Sequence, residues 1–305
     1  MNYTITFNPA IDLVVQAQSI ALGDLNRVDQ TAYVMGGKGI NMSNILNELG
    51  SKTQATGFVG GFTGDYIKQQ LNQANIDHHF INVQEPTRIN VKIKAEEETE
   101  INAPGPNITS KDFDALYQYL DSVVTEEDAI FLAGNAAPGL DESHYQAIAK
   151  LAQDKGAKFV LDSNKDLLTA CLAYRPFLIK PNQHELSEIF GIEINTTKDI
   201  INYANQLQLR GAQNVLVSLG GAGSILLASA GDIYQANVPQ GTVINSVGAG
   251  DSMVAGFMAK YNESDDPALS LQQGAACGSA TAFSVGIAKR DHIEDLKQQI
   301  KVVKL

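Results

Sequence analysis

In the stretch "NSVGAGDSMVAGF" (245–257), Gly248, Ala249 and Gly250 stand directly before Asp251, and a helix-forming run follows. Small residues leave the backbone open to close approach, and the first-turn amides of a helix have no intrahelical partner. With the helix dipole, such a start favours an anion. A carboxylate at the same point can take up the proton of an acceptor hydroxyl. Anion hole and base would then come from one helix start, and phosphoryl transfer further needs a cationic clamp. In "GGKGIN" (36–41), Gly36 and Gly37 free the backbone, Lys38 supplies a point charge and Asn41 a two-sided amide. In "KPNQHEL" (180–186), Asn182 and Glu185 lie three apart and could serve hydrated Mg²⁺, which prefers one or two protein oxygens plus waters and phosphates. Finally, "VSLGGAG" (217–223) sets Gly220, Gly221 and Gly223 between apolar strands, where they could wrap a ribose and its phosphates.

Each of these, taken alone, is also an ordinary piece of structure. GGKG reads equally as a tight strand-to-helix turn with a solvated lysine. Asn182 and Glu185 read as a helix cap and its third residue, an arrangement worth about 1 kcal/mol. Residues 218–223 read as a hairpin turn, and Asp12 in "NPAID" as a turn residue. Position joins them. The turns at 36–41, 134–139, 180–185 and 218–223 all follow predicted strands, and an open α/β sheet binds ligands beyond the carboxyl ends of its strands. Other phosphate designs are absent: no G-x-x-x-x-G-K-[ST], no protein-kinase set, and no G-x-G-x-x-G after the first strand. The five histidines show no metal-ligand spacing.

The elements that must position these residues alternate in type. Residues 3–7, 52–59, 128–134, 157–163, 176–180 and 213–220 are apolar strand patterns, with amphipathic helical patterns between most of them. Near-continuous apolar strands with helical crossovers predict a parallel sheet covered on both faces. Segments 12–35 and 87–105 break the rhythm with alternation and no intervening helix. In the second, Ile89, Val91, Ile93 and Ala95 share a face, "EEETE" makes a turn and Ile101 sits in a return strand. The expectation is a small antiparallel sheet, serving as a lid or an oligomer contact. The 305 residues form one expected domain, with lid segments at about 12–35 and 87–103.

Composition narrows the partners. Hydrophobic residues make up 44% and charged ones 18%, as in a soluble globular protein, and a net charge of −12 argues against nucleic acid or an acidic membrane surface. An anionic ligand then needs a local pocket of donors. Cys171 and Cys277 make no disulfide framework, and the first ten residues lack the basic and apolar regions of a secretory signal, so the cytoplasm is expected.

With these residues in hand, the chain resembles the ribokinase-like carbohydrate kinases of the phosphofructokinase-B group. The ordered set "NPAID", "GGKGIN", "GFVGGFTGDYI", "TRINVK", "KPNQHEL", "VSLGGAG" and "NSVGAGDSMVAGF" carries the resemblance nearly end to end. It implies a three-layer α/β/α fold, a mainly parallel sheet with a small β-sheet lid, and dimerisation through that lid. It further implies that Asp251 accepts the proton while the Gly248, Ala249 and Gly250 amides form the anion hole. Asp12, Gly37 and Asn41 would hold sugar hydroxyls, and Lys38 and Arg88 the substrate's existing phosphate. Lys180, Asn182, Gly250 and the run Ser218, Leu219, Gly220, Gly221, Ala222 and Gly223 would serve ATP, with Asn182 and Glu185 organising Mg²⁺ through water. One stretch departs: where the family reads Ser-Gly-Ser-Leu-Pro, this chain reads "AGNAAPG" (133–139), which puts Asn135 beside the sugar. "TRINVK" and "GGKGIN" are most similar to members acting on fructose 1-phosphate at C6, those acting on tagatose 6-phosphate being near relatives. A non-catalytic sugar-phosphate sensor would have no use for the base at Asp251, and a nicotinamide oxidoreductase would need its glycine fingerprint.

Overall fold

A computed structural model describes all 305 residues. The chain opens with β1 (Asn2–Thr6), β2 (Ala10–Gln16), β3 (Gln30–Gly36), α1 (Lys38–Glu48), β4 (Thr53–Val59), α2 (Gly61–Gln73) and β5 (Asp77–Asn82). There follow β6 (Arg88–Lys94), β7 (Glu98–Ile101), α3 (Ser110–Val123), β8 (Ala129–Ala133), α4 (Glu142–Lys155), β9 (Lys158–Asp162) and α5 (Lys165–Cys171). Next come β10 (Leu178–Ile179), α6 (Gln183–Phe190), α7 (Thr197–Leu209), β11 (Asn214–Ser218), β12 (Ser224–Leu227) and β13 (Ile233–Ala236). The last elements are α8 (Ala249–Ser264), α9 (Pro267–Ala282), α10 (Arg290–Lys297) and β14 (Val302–Lys304).

Ten strands form one sheet in the order β14-β13-β12-β11-β10-β9-β8-β1-β4-β5. From β5 to β11 every pairing is parallel, and β12, β13 and β14 extend that edge antiparallel. Strand β8 shows why such strands read as unbroken apolar runs. Ile130 and Leu132 enter the core under α3, α4 and α7, while Ala129, Phe131 and Ala133 enter the core under α1, α8, α9 and α10. Both faces are buried, so both residues of each alternating pair are apolar. The result is the three-layer α/β/α arrangement. No helix is long and apolar enough to cross a membrane.

Helices α8 and α9 pack with almost no side chain between them. A methyl on Gly256 would sit 2.5 Å from Cys277 Sγ, and one on Gly274 would sit 2.7 Å from the Met253 carbonyl. The small residues downstream of Asp251 therefore hold α8 in place, and Cys277 is a packing residue.

Four further strands form the lid in the order β3-β2-β6-β7. Here the expectation of an antiparallel sheet needs correction. β2–β3 and β6–β7 are antiparallel hairpins, but β2 and β6 run parallel, from Ala10 opposite Arg88 to Gln16 opposite Lys94. The two hairpins leave the body separately, after β1 and after β5, so their inner strands point the same way. The turn is also shorter than "EEETE": only residues 95–97 bend, and Glu98 to Glu100 already belong to β7.

Candidate active site

A cleft of about 1070 Å³ lies between the lid and the carboxyl ends of the parallel strands. Asp12, Gly37, Lys38, Asn41, Arg88, Asn135, Lys180, Asn182, Glu185, Ser218, Gly248, Gly250 and Asp251 all line it. Ala249, Leu219, Gly220, Gly221, Ala222 and Gly223 do not. The Ala249 amide donates to the Ser246 carbonyl (3.2 Å), and Gly220–Ala222 form a short 3₁₀ turn that closes the β11–β12 hairpin at the rim.

Two helices aim their first turns into the cleft. α1 starts after Gly37 (φ 133°) and α8 after Gly248 (φ 80°), both without a side-chain cap. These are backbone conformations that L side chains resist. A methyl on Gly37 would also press to 2.8 Å of Thr6 Cγ2, and one on Gly248 to 2.8 Å of Ile287 Cδ1. The amides of Gly248, Gly250 and Asp251 have no protein partner, so the start of α8 offers donors to an anion.

Charges cluster at that helix start. Asp251, 5% exposed, accepts a 2.8 Å hydrogen bond at Oδ2 from Asn41 Nδ2. Burial and the charge of Asp162 push its pKa up to about 6, against the pull of Lys38, Asn41 and Lys180. Asp162, the last residue of β9, is 1% exposed and has Lys38 Nζ at 3.3 Å and Lys180 Nζ at 3.7 Å. Burial opposes its ionisation, but the two ammonium groups hold its pKa below the usual carboxylate range. Lys38 is held above its own range: burial would lower it, yet Asp162, Asp251 and Glu185 together raise it. Lys180 lies against α8 as well, since a methyl on Gly250 would meet its Nζ at 3.1 Å. Two carboxylates and two ammoniums thus share one patch, all buried but Lys38, whose side chain is 37% exposed.

The lid brings a second group. Asp12 Oδ1 accepts from Asn90 Nδ2 at 2.9 Å, and Lys92 Nζ lies 3.9 Å from Asp12 Oδ2. Arg88 donates from Nη1 to the Ala103 carbonyl (2.9 Å) and from Nη2 to the Asn8 carbonyl (3.0 Å). Lys38 and Arg88, expected on one phosphate, thus have separate protein partners here. Asn135 accepts a long 3.4 Å bond from Asn164, the cap of α5. Asn182 and Glu185 form a complete capping box, with Glu185 N to Asn182 Oδ1 at 2.8 Å and Asn182 N to Glu185 Oε2 at 2.7 Å. Glu185 Oε1 makes no bond in the protein.

Buried polar atoms without partners mark where a ligand belongs, because such groups are costly unless something completes them. Apart from Asp162, whose oxygens face Lys38 and Lys180, four side-chain atoms are of this kind, and three belong to cleft residues: Thr6 Oγ1, Asn8 Oδ1 and Arg88 Nε. Sequence reasoning missed Thr6, Asn8, Asn90 and Asp162. For Asp162 a signal existed. "KFVLD" is an apolar strand that ends on an acid, and an acid so placed is buried only when something pairs with it.

This cleft, with open helix starts, paired lysines and a raised carboxylate under a β lid, is that of a phosphotransferase with an alcohol acceptor. The chain belongs to the pfkB family of carbohydrate kinases, whose profile matches residues 5–292, and it is a sugar-phosphate kinase of ribokinase-like fold. More particularly, it is 40% identical over 305 residues to the 1-phosphofructokinase of Bacillus subtilis (strain 168), covering 100% of both chains. It is 32% identical over 306 residues to the D-tagatose-1-phosphate kinase of Bacillus licheniformis, again covering 100% of both. The crystal structure of Escherichia coli phosphofructokinase-2 in complex with substrates and products superposes with a TM-score of 0.91 at 27% identity, over 97% of this chain and 98% of that one.

Proposed function

We propose that the protein transfers the γ-phosphoryl group of ATP to the C6 hydroxyl of fructose 1-phosphate, giving fructose 1,6-bisphosphate and ADP. The observation that carries this reading is the raised, buried Asp251 at the open start of α8, in one cleft with the lid cation Arg88. Asp251 takes the C6 hydroxyl proton as that oxygen attacks the γ-phosphorus, and the bond from phosphorus to the ADP oxygen breaks. The Gly248 and Gly250 amides, with Lys38 and Lys180, meet the charge on the transferred group. Asp12, Gly37, Asn41 and Asn135 orient the sugar, and Arg88 meets the phosphate it already carries. Lys180, Asn182 and residues 218–223 hold the nucleotide.

The donors present fit Mg²⁺ held through water. Glu185 keeps one oxygen free, and a hydrated Mg²⁺ carried on phosphates would ask only one or two oxygens of the protein. Asn182 and Glu185 would hold its waters, and it would neutralise phosphate charge. On its face away from the cleft the lid carries an apolar row, Tyr33, Leu13, Val91 and Ile101, in register across all four strands. A second copy packed there makes the enzyme a homodimer. The reading places it in the cytoplasm, with its nucleotide.

A second reading, a ketose 1-phosphate of tagatose configuration, is favoured by the tagatose-1-phosphate kinase relative. A coupled ADP-release assay across fructose 1-phosphate, tagatose 1-phosphate, tagatose 6-phosphate, fructose 6-phosphate and fructose separates them. Fructose 1-phosphate is expected to give the highest kcat/KM. A higher value for either tagatose phosphate would overturn the substrate while leaving the reaction class intact.

A further inference from the structure

We propose that Lys92 is a second cationic contact to the phosphate the substrate already carries, and so a specificity-determining residue. The proposal rests on the function proposed above. A phosphate dianion calls for more than one cation, and six cationic side chains line the cleft: Lys38, Arg88, Lys92, Lys94, Lys180 and Lys289. Lys38 and Lys180 are held at the reacting end by Asp162, at 3.3 and 3.7 Å. Lys289 is 80% exposed and paired with Glu48, and Lys94 is 36% exposed and paired with Glu98. That leaves Arg88 and Lys92.

Their placement suits a shared ligand. Arg88, Asn90 and Lys92 occupy one face of β6, because side chains alternate along a strand. At about 3.3 Å per residue the Arg88 and Lys92 Cα atoms lie about 13 Å apart, a span two long side chains can close on a phosphate. Between them sits Asn90, whose amide holds Asp12, so both cations flank the residue assigned to the sugar hydroxyls. Lys92 is only 13% exposed, with its Nζ 2.7 Å from Glu100 Oε1 and 3.9 Å from Asp12 Oδ2. Glu100 is 39% exposed on the edge strand β7, and a pair open to water on one side is weak enough to exchange for a dianion. Arg88 spends one N–H of each terminal nitrogen on a main-chain carbonyl and has its Nε buried without a partner, so part of its donor set is already committed here.

The test compares wild type with Lys92→Met, Lys92→Arg and Glu100→Gln, reading kcat and both KM values together with thermal unfolding. Lys92→Met should raise KM for fructose 1-phosphate about tenfold or more, with kcat and the KM for ATP within about twofold. Lys92→Arg should restore most of the loss. A sugar-phosphate KM unchanged in Lys92→Met, or an equal rise in the KM for ATP, overturns the proposal. Should Lys92→Met fail to fold, Glu100→Gln decides. Removal of the competing carboxylate should lower the sugar-phosphate KM, and an unchanged value overturns the proposal. If wild type prefers a different sugar phosphate, the substrate reading falls, and the same KM comparison on that substrate still decides Lys92.

Discussion

At the proposed reacting centre, Asp251 is balanced among four neighbouring side chains. Asp251 must be ionised to take a proton, and its neighbours pull in opposite directions: burial and Asp162 keep the proton on, while Lys38, Asn41 and Lys180 draw it off. Replacing Asp251 with Asn keeps the shape and removes the base. A general base contributes about 10²–10⁴-fold, so kcat should fall by that much while ATP affinity measured by calorimetry stays within a few-fold. A variant that kept a tenth of the wild-type kcat would take Asp251 out of the role. The pH dependence has a worked sign. Because the pKa stands near 6, kcat/KM should decline as pH drops through that value. Stability runs the other way: the folded form holds its proton longer than the unfolded chain does, so this group's stabilisation is complete at low pH and is lost as pH rises through about 6. Asp162→Asn should move the acid limb to lower pH and Lys38→Met to higher pH, since one removes a negative and the other a positive neighbour. Limbs that coincide in all three proteins would show that Asp251 does not control them. Asp251 was legible in the sequence because glycines before an acid at a helix start say something about backbone access. Asp162 showed only as an acid ending an apolar strand, because its role depends on Lys38, at the start of α1, and Lys180, just after β10, which only the fold brings to it.

At the scale of elements, the site depends on where α8 begins, and α8 is held by its contact with α9. Enlarging that contact should be felt at the site. Gly256→Val places carbon against Cys277 Sγ, for which the separation is 2.5 Å before any shift, and against the Gln273 carbonyl. Overpacking of this kind costs about 1–3 kcal/mol, so the urea midpoint should drop, and kcat should drop with it as the Gly248–Asp251 amides move. Adding Cys277→Ala should recover part of both losses, and a double variant no better than the single one would place the strain elsewhere. The helices and parallel strands were legible because their apolar periods differ. The lid was legible only as strands. Alternation tells which residues share a face, as with Ile89, Val91 and Ile93, but carries no information on the direction of the neighbouring strand, so the parallel β2–β6 pair was invisible. Strands β13 and β14, of four and three residues, have too few residues for a period to register.

For the whole molecule, the apolar row on the outer lid face sets the expected assembly. Tyr33 is 57% and Ile101 58% exposed in the single chain, and a second copy would cover them. Sedimentation should give twice the 32.7 kDa of one chain, and Val91→Lys, in the middle of the row, should shift it toward the monomer. A fully active wild-type monomer at micromolar concentration would defeat this.

The parallel pairing at the middle of the lid has a kinetic consequence. β2 and β6 enter from separate roots yet are zipped rung by rung from Ala10 and Arg88 outward, so Asp12 and Arg88 ride on a single plate with no hinge between them. With the roles proposed for Asp12 and Arg88, a ligand gripped at its hydroxyls would be gripped at its phosphate in the same stroke and let go in the same stroke. If the proposed reaction holds, the bisphosphate product should leave in one step with a single rate, and a two-phase release would count against a lid that grips both ends together.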